Sequence, residues 1–290
     1  MEVLILCAGA ADKSWSGPKS RRPLRTRGKR QSQKIGAWLG KQRLAPDLVL
    51  TSSDLRSRVT AQKALKAAGW TARNIKRSDE LSAGSLPTLP KEGTYLLVLP
   101  PKAAGELLKM LGFDPEVTPG VLYQLAQRAG KTCLIERIDP RDLPDLFPYP
   151  APDGPECRER PAYYYTQSAV IPFRRSGDET EILIVGSSSG RHWVVPKGIV
   201  EPGFDPAVSA SVEAREEAGV TGKVGEKPLG TFTYQKWGAT CEVAVYAMEV
   251  TDVIEDEAWE ERHRNRKWVP AAIAGQLLHQ PAFAPMISAI

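Results

Sequence analysis

Three glutamates in one short stretch have the clearest chemical potential in this sequence. Glu213, Glu216 and Glu217 stand at positions i, i+3 and i+4, so a helix would place their carboxylates on one side. Carboxylates this close repel one another, and no lysine separates them on that side. A divalent cation removes the conflict, because Mg²⁺ binds a few carboxylate oxygens together with water and substrate phosphates. The spacing therefore predicts a site for Mg²⁺ or Mn²⁺.

The residues on either side of the glutamates predict the helix that positions them. Asp205 suits the N-cap, and Pro206 suits the first helical position, where its missing N–H costs nothing. Gly219 suits the residue that ends a helix. A stripe of small side chains at helical spacing would let this helix lie close to a sheet; its members are Ala207, Ala210, Ala214 and Ala218.

The stretch that begins at Gly198 resembles the Nudix box, G-x5-E-x7-R-E-U-x-E-E-x-G-U, in which U is an aliphatic residue. Gly198 matches the first glycine, and Glu213, Glu216 and Glu217 match the later glutamates. The resemblance implies the Nudix α/β/α sandwich, an α+β fold, over residues 161–290. It also implies that the three glutamates hold the metal and carry the catalysis, with the backbone at Gly198 close to the metal.

Two positions depart from the box. Phe204 occupies the place of its first glutamate, and Val212 occupies the place of its arginine. In the family those two side chains typically pair with each other as structural support. Exchange of a whole buried ion pair for apolar side chains is often neutral or stabilising, so we interpret the change as a compensated replacement. Two other interpretations stay open: a solvated acidic helix, and a relative that binds its ligand without turning it over.

The residues before the box resemble a particular group within the family. The sequence W-V-V-P-K-G at 193–198 is similar to the lead-in of diphosphoinositol polyphosphate phosphohydrolases and diadenosine polyphosphate hydrolases. This resemblance implies that Lys197 and Arg191 bind phosphate groups beside the metal, where an arginine can hold two oxygens at once. Lys236 and the segment 259–268 loosely resemble phosphate-contacting parts of the diphosphoinositol group. The alternative for these cations is solvated surface charge.

The first half of the chain alternates predicted strands and helices, which is typical of an α/β domain with a mainly parallel sheet. Strands are predicted at 3–7, 48–50 and 95–99, and helices around 35–39, 56–68 and 107–111. Two stretches, R-P-L-R-T-R-G at 22–28 and the residues at 46–61, resemble the histidine phosphatase superfamily, in particular the small phosphohistidine phosphatases. The resemblance implies that fold and makes Arg56 a phosphate-binding arginine.

The catalytic residues of that superfamily are missing from the first half. Its members begin with an R-H-G triplet whose histidine accepts the phosphate, whereas this chain has Cys7-Ala8-Gly9. All three histidines of the chain lie in its second half, and a phosphohistidine mechanism needs an imidazole nucleophile. Cys7 has no local histidine that would lower its pKa. We predict a catalytically inactive domain that serves as a scaffold or dimer surface, or that keeps an anion pocket at Arg56.

The second half is predicted to contain mixed strands around the box helix. Strands are predicted at 163–173, 181–185, 193–195, 230–234 and 241–250, with a turn at Gly177-Asp178 and a last helix around 273–278.

Length and composition limit the number of domains and the kinds of ligand that the chain can have. A chain of 290 residues favours two domains, which we place at 1–138 and 161–290, joined by a proline-rich linker at 139–160. The formal charge of +5 and the pI near 9.0 suit a protein that meets polyanions, whether inositol phosphates, nucleotides or nucleic acid. The cysteines are scattered without metal-ligand spacing, and we see no signal peptide and no membrane-spanning stretch. We therefore predict a cytoplasmic protein without a membrane partner. Homodimerisation stays open.

These features predict a metal-dependent hydrolase that cleaves a diphosphate linkage in a polyphosphorylated small molecule, either a diphosphoinositol polyphosphate or a diadenosine polyphosphate. The proton acceptor is one of the three glutamates or an acid within residues 255–261. One alternative is a nucleotide hydrolase of the 8-oxo-nucleoside triphosphate type, which a purine-stacking aromatic side chain near the cleft would favour. The other alternative is a non-catalytic module that binds a polyphosphorylated ligand or RNA.

Overall fold

The chain folds into two compact units, Met1–Ala162 and Tyr163–Ile290. The computed structural model describes residues 1–128, 130–151, 154–177 and 179–290. No helix in these described ranges is both long enough and apolar enough to cross a lipid bilayer.

The first unit is an α/β domain. Its elements in chain order are β1 (Glu2–Cys7), α1 (Thr26–Gln42), β2 (Leu48–Thr51), α2 (Leu55–Ala67), β3 (Ile75–Arg77), α3 (Asp79–Ser82), β4 (Thr94–Leu99), α4 (Pro101–Met110), β5 (Leu122–Arg128), β6 (Lys131–Ile138), β7 (Phe147–Ala151) and β8 (Gly154–Arg158). The strand order of its main sheet is β3-β2-β4-β1-β5-β6. The first four strands pair in parallel, and β5 and β6 pair antiparallel.

Helices cover both faces of this sheet, because successive side chains of a strand point to opposite faces. Along β1, Ile5 and Cys7 pack in a core with α4, whereas Leu4 and Leu6 pack in a second core with α1 and α2. The apolar run of β1 is thus buried on both sides, which explains why it reads as continuous rather than alternating. The predicted mainly parallel α/β architecture is confirmed.

Several elements of the first unit were not predicted from the sequence, namely β3, α3, β5, β6, β7 and β8. β5 and β6 were missed, because β6 is an edge strand with mostly exposed side chains and carries no long apolar run. The segment 139–160 was predicted to be an extended linker. Instead, β7 and β8 within it pair as an antiparallel hairpin. Pro148 and Pro150 are tolerated there because a two-stranded ribbon has free edges, where a missing N–H breaks no ladder.

Asp139 joins the end of β6 to the following turn and gives the first unit a pH-dependent contribution to stability. Its carboxylate, 2% exposed, accepts hydrogen bonds from Arg141 Nη2 at 2.7 Å and from Arg137 Nη2 at 3.1 Å. The hydrogen bonds from Arg141, followed by the bond from Arg137, lower the pKa of Asp139. A lowered folded-state pKa stabilises the fold above the unfolded-state pKa, near 3.9, and this contribution is lost as the pH falls toward the folded value.

We therefore expect Asp139→Asn to lower the free energy of unfolding at neutral pH by about 2 kcal/mol. The difference from the wild type should shrink as the pH falls below about 4. Thermal unfolding followed by calorimetry, at neutral pH and at a pH below about 4, measures the effect. The neighbouring exposed Asp142→Asn is the matched control. A difference that stays constant with pH would contradict the role assigned to the carboxylate.

The second unit is built around one large sheet. Its elements are β9 (Thr166–Ser176), β10 (Glu179–Gly186), β11 (Trp193–Val194), β12 (Lys197–Ile199), α5 (Pro206–Ala218), β13 (Val220–Val224), β14 (Gly230–Lys236), β15 (Ala239–Val253), β16 (Arg266–Pro270), α6 (Ala271–Leu277) and α7 (Phe283–Ile287). The strand predicted from residue 163 begins only at Thr166, after a 3₁₀ turn at Ala162–Tyr165. The turn predicted at Gly177-Asp178 includes Asp178, which lies outside the described residues.

Helices lie on both faces of this sheet as well. On one face, α5 packs against β9, β10 and β15 through Ala210, Ala214 and Ala218, all fully buried. On the other face, α6 and α7 close a second core through residues such as Ala274 and Phe283. The predicted alanine stripe and the predicted α/β/α sandwich are both confirmed.

Both ends of α5 are fixed by the residues that the sequence suggested, and by two that it did not. Asp205 Oδ1 accepts a hydrogen bond from the backbone N–H of Ala207 at 2.8 Å, which satisfies one of the unpaired donors of the first turn. Gly219 ends the helix with φ 62°, a left-handed conformation that glycine adopts without strain. Arg266 Nη1 donates to the carbonyl of Gly219 at 2.8 Å, and Trp259 Nε1 donates to the carbonyl of Glu216 at 2.9 Å.

Candidate active site

The loop from β12 into α5 opens onto a cavity of about 580 Å³. Two of the three predicted glutamates, Glu213 and Glu216, line it together with Gly198 and Lys197. The cavity is completed by Gln167, Ile199, Glu201, Phe204, Ser209, Val212, Lys236 and Trp237. The short strand β12 pairs with β9, so the sheet fixes one wall while the helix supplies the acids of the other.

Gly198 makes room for the carboxylate of Glu213. A Cβ atom added at residue 198 would lie 1.8 Å from Glu213 Oε1 and 2.1 Å from its Cδ, far inside van der Waals contact. The box therefore needs glycine at this position because a side chain and the carboxylate would occupy the same space. Gly198 thus lies against Glu213, and its predicted approach to a metal stays a prediction.

The acids of the site repel one another. Burial, and then the charges of Glu217 and Glu216, raise the pKa of Glu213 to about 7. Burial is also the first cause that raises the pKa of Glu216 and of Glu217. In the described residues no three His, Cys, Asp or Glu side chains are arranged, as they stand, to hold a metal ion. The donor set nevertheless fits a hard divalent cation, because it offers mutually repelling carboxylates in a cavity that glycine keeps open.

Glu217 differs from the other two glutamates in having two partners. Its Oε2 accepts a hydrogen bond from the backbone N–H of Lys197 at 2.9 Å, and its Oε1 accepts one from Arg264 Nη2 at 2.5 Å. Arg264 also pairs with Glu261, so one guanidinium bridges two carboxylates. These contacts tie α5 to β12 and to the segment before β16. The sequence showed Arg264 only as one cation in a charged run, and no spacing rule pointed to this pairing.

Lys197 holds its ammonium group at a fixed place on the cavity wall. Its Nζ donates to Gln167 Oε1 and to the Tyr234 hydroxyl, both at 2.9 Å. The Tyr234 hydroxyl in turn donates to Gln167 Oε1 at 2.8 Å, which closes a triangle of polar groups. Burial lowers the pKa of Lys197, and the nearby Glu217 charge opposes that shift. Gln167 was missed because a lone glutamine inside a strand carries no distinguishing pattern.

The other cations predicted to bind substrate lie in different places. Lys236, at the end of β14, lines the cavity, and its Nζ lies 4.4 Å from the ring centroid of Trp237. Arg191 is exposed on the loop before β11, where its Nε donates to Ser189 Oγ at 3.3 Å, and it is not among the cavity-lining residues. Arg56 belongs to the first unit, near the start of α2, and its buried Nε has no hydrogen-bond partner among the described residues.

The two residues that depart from the box form part of the cavity wall. Val212 is 42% exposed, and both it and Phe204 line the cavity. The interpretation of a buried apolar pair that replaces a buried ion pair is therefore wrong for Val212, because this side chain faces solvent beside Glu213 and Glu216. The exchange instead makes this wall apolar where the family pattern is charged.

An aromatic side chain stands elsewhere on the cavity wall. Trp237 and Gly238 form the two-residue turn between β14 and β15, and both have positive φ, 54° and 71°. Such a φ is unfavourable for tryptophan, so its surroundings must hold it there. The Tyr165 hydroxyl donates to the Trp237 carbonyl at 3.0 Å, and the Tyr164 ring meets the indole edge-on at 5.3 Å between centroids. The indole is thus held in place on the cavity wall.

The fold and the site together define the class of this unit: a sandwich whose box helix presents glutamates to a cavity that also contains lysines. The family model for the NUDIX domain matches residues 165–289. Diphosphoinositol polyphosphate phosphohydrolase 2 of Rattus norvegicus is 39% identical over 124 residues, which span 41% of this chain and 66% of that protein. Diphosphoinositol polyphosphate phosphohydrolase 3-beta of Bos taurus is 33% identical over 129 residues, 43% of this chain and 76% of that protein. The chain belongs to the Nudix hydrolases, which act on phosphorus-containing acid anhydrides.

A solved structure is similar to the chain outside the Nudix match. The protein histidine phosphatase SixA, complexed with tungstate, is 20% identical and aligns with a TM-score of 0.42 over 49% of this chain and 99% of that chain.

Proposed function

We propose that the second unit is a metal-dependent pyrophosphohydrolase that cleaves a diphosphate linkage in a polyphosphorylated small molecule. The observation that carries the proposal is the meeting of Glu213, Glu216 and the ammonium of Lys197 in one cavity. A diphosphoinositol polyphosphate or a diadenosine polyphosphate is the substrate we propose, and the names of the two diphosphoinositol relatives support the first of these.

The residues of the site have different proposed roles. Glu213 and Glu216, with Glu217, are the groups that would hold Mg²⁺ or Mn²⁺; the bound metal would neutralise charge on the phosphates and acidify the attacking water. Lys197 and Lys236 supply positive charge to the phosphate groups, and the proposal extends to Arg191 if its loop reaches the substrate. In the described residues the carboxylates of Glu213 and Glu216 make no hydrogen bond or ion pair, so both can accept from water. One of them, or Glu217 or an acid within 255–261, receives the proton.

A second candidate is favoured by the aromatic and apolar part of the wall. Trp237 and Phe204 offer flat apolar surface to a base, which an inositol ring does not need. This favours a substrate with a nucleobase, either a diadenosine polyphosphate or a nucleoside triphosphate of the 8-oxo type. The lysines of the same cavity serve the phosphates in either case.

Turnover with Mg²⁺ on a panel of substrates tests the proposal. We expect release of phosphate or nucleotide from at least one of three groups: diphosphoinositol polyphosphates, diadenosine polyphosphates and 8-oxo-nucleoside triphosphates. We also expect a chelator to abolish this turnover. Binding of these compounds without turnover would support the rival interpretation of a non-catalytic module and would overturn the proposed hydrolase.

Trp237→Asn separates the two kinds of substrate. Asparagine tolerates the positive φ of this turn, so the hairpin should keep its shape while the indole is lost. For a substrate with a nucleobase we expect KM to rise about tenfold, because base stacking on an aromatic ring contributes roughly 1–3 kcal/mol. For a diphosphoinositol polyphosphate KM should stay within about twofold, which makes this substrate the internal control. Equal effects on both would count against a base-binding role of Trp237.

We further propose that the first unit has no phosphatase activity of its own. Cys7, where the superfamily triplet begins, is fully buried, and burial raises the pKa of its thiol to about 12, which disfavours the nucleophilic thiolate.

The free thiols of Cys133 and Cys157 are exposed, which supports a reducing compartment such as the cytoplasm. A homodimer through the first unit stays a prediction, testable by light scattering.

A further inference from the structure

A long acid-free segment dominates the charge of the first unit. Residues 13–46 contain eleven of the 39 lysines and arginines of the chain and none of its 34 acidic residues, although the formal charge of the whole chain is only +5. The rest of the chain therefore carries more carboxylates than cations, so this charge is concentrated and not a general property of the sequence. Concentrated positive charge attracts polyanions over distances set by salt screening.

The structure gives the first part of this segment a defined shape. An isolated bridge between Ala11 and Leu24, and a hydrogen bond from Asp12 N to the Pro23 carbonyl at 2.9 Å, close residues 12–23 into a compact loop. Arg25 N also donates to the Ala10 carbonyl at 3.1 Å, which fixes the entry into α1. The loop and the first turns of α1 are thus an ordered platform.

The cations of this platform are exposed to solvent and can contact a ligand. Lys13, Lys19, Arg21, Arg27 and Lys29 are exposed, and within the described ranges their side chains make no hydrogen bond or ion pair. Asp12 is the one acid of this platform, and its carboxylate accepts hydrogen bonds from Ser14. The five exposed cations outnumber it and repel one another, so they are stabilised by any ligand that brings closely spaced negative charge.

Two adjoining cavities extend the platform along α1. They measure about 230 Å³ and about 320 Å³ and share Arg27, Gln31 and Arg141 as lining residues. Arg25 lines the first of them, and its buried Nε has no hydrogen-bond partner among the described residues. A buried N–H without a protein acceptor is costly, and a phosphate oxygen bound in this cavity would satisfy it.

One aromatic side chain lies within the platform. Trp15 is 39% exposed, and its Nε1 donates to the Pro18 carbonyl at 3.0 Å, which holds the indole in one orientation. Its ring passes close to Gly17, where an added Cβ would lie 2.6 Å from Cζ2. Exposed aromatic rings among cations are typical of surfaces that bind single-stranded nucleic acid, because every base has a face that can stack.

We propose that the loop 12–23 and the start of α1 bind single-stranded nucleic acid, with the cations on its phosphates and Trp15 on a base. This activity lies in the first unit and is independent of pyrophosphate hydrolysis in the second.

Fluorescence anisotropy of the full chain with a labelled oligouridine of about 20 nucleotides tests the proposal. We expect saturable binding at about 50 mM salt that weakens steeply as salt rises, because bound phosphates release counterions. The triple variant Lys19→Ala, Arg21→Ala, Arg27→Ala should lower the slope of log affinity against log salt by about 2. A matched triple variant of exposed cations elsewhere in the unit, Lys76→Ala, Lys91→Ala, Arg128→Ala, should leave both slope and affinity nearly unchanged.

Trp15 distinguishes single strands from duplexes and from acidic proteins. Trp15→Ala should weaken oligouridine binding about tenfold and leave binding of a duplex of equal length unchanged, and Trp15→Phe should restore most of the loss. No saturable binding at about 50 mM salt, or equal losses in the two triple variants, would overturn the proposal. Displacement of oligouridine by polyglutamate, with no effect of Trp15→Ala, would assign the platform to an acidic protein instead. Glu217→Gln should retain full oligouridine binding, so the proposal stands or falls separately from catalysis.

Discussion

Glu217→Gln should lower kcat by about 10³-fold, equivalent to roughly 4 kcal/mol of transition-state stabilisation. The exchange removes one negative charge from the acid cluster and should weaken the proposed binding of a divalent cation there. The amide oxygen can still accept the hydrogen bond from the backbone N–H of Lys197, and Arg264 keeps its pair with Glu261. The fold should therefore survive. Steady-state turnover with Mg²⁺, together with the thermal midpoint, measures both effects.

The control for Glu217→Gln is Glu226→Gln, an exposed acid of the same unit outside the cavity. We expect the control to keep wild-type turnover and wild-type metal dependence. If Glu217→Gln kept turnover within about threefold of the wild type, the role of the acid cluster would be refuted. A loss of turnover accompanied by unfolding would instead make Glu217 a structural residue that links α5 to β12.

Gly198→Ala should reduce turnover by about 10²-fold or more with little loss of stability. The new Cβ would overlap the carboxylate of Glu213, with 1.8 Å to Oε1. Because the overlapping atoms are the end of a flexible side chain, that side chain can turn away at low cost to the fold. Its carboxylate then leaves the place where it acts. Activity and stability should thus separate in this variant, which a purely structural role of the glycine would not produce.

Gly225→Ala provides the matched control, because a Cβ there would find its nearest atoms at 3.7 Å and 3.8 Å, ordinary contact distances. This variant should keep both activity and stability. Thermal unfolding and turnover of the two alanine variants, measured side by side, decide the matter. A strongly destabilised Gly198→Ala, or one with normal turnover, would contradict the steric argument.

The sequence predicted the elements whose pattern is local. The box helix followed from Asp205, Pro206 and Gly219, because caps and helix stops act within a few residues. The buried strands of the first unit followed from short apolar runs such as that of β1. The edge strand β6 and the hairpin of β7 and β8 did not, because an exposed edge strand has no apolar run and prolines usually argue against strands.

Among the residues that line the cavity, the sequence pointed to Glu213, Glu216, Gly198, Lys197 and Lys236. Long-range partners such as Arg264 on Glu217 and Gln167 on Lys197 join residues 47 and 30 positions apart, and no spacing rule reaches that far. Arg191 resembled a substrate-binding cation by its place beside the box, yet its loop does not line the cavity. The exposed Val212 was misread because the family pattern gives residue types and not solvent exposure. The indole of Trp237 became relevant only when the hairpin turn placed it on the cavity wall.

The contacts from Arg266 and Trp259 to the end of α5 make the box helix depend on residues that come after it in the chain. Arg266 starts a strand that pairs with β10, and the same side chain holds the carbonyls that close the box helix. Removal of the last 25 residues would therefore expose a sheet edge and loosen the helix at once. During synthesis on the ribosome, the acids can therefore reach their final positions only after the residues of β16 have emerged.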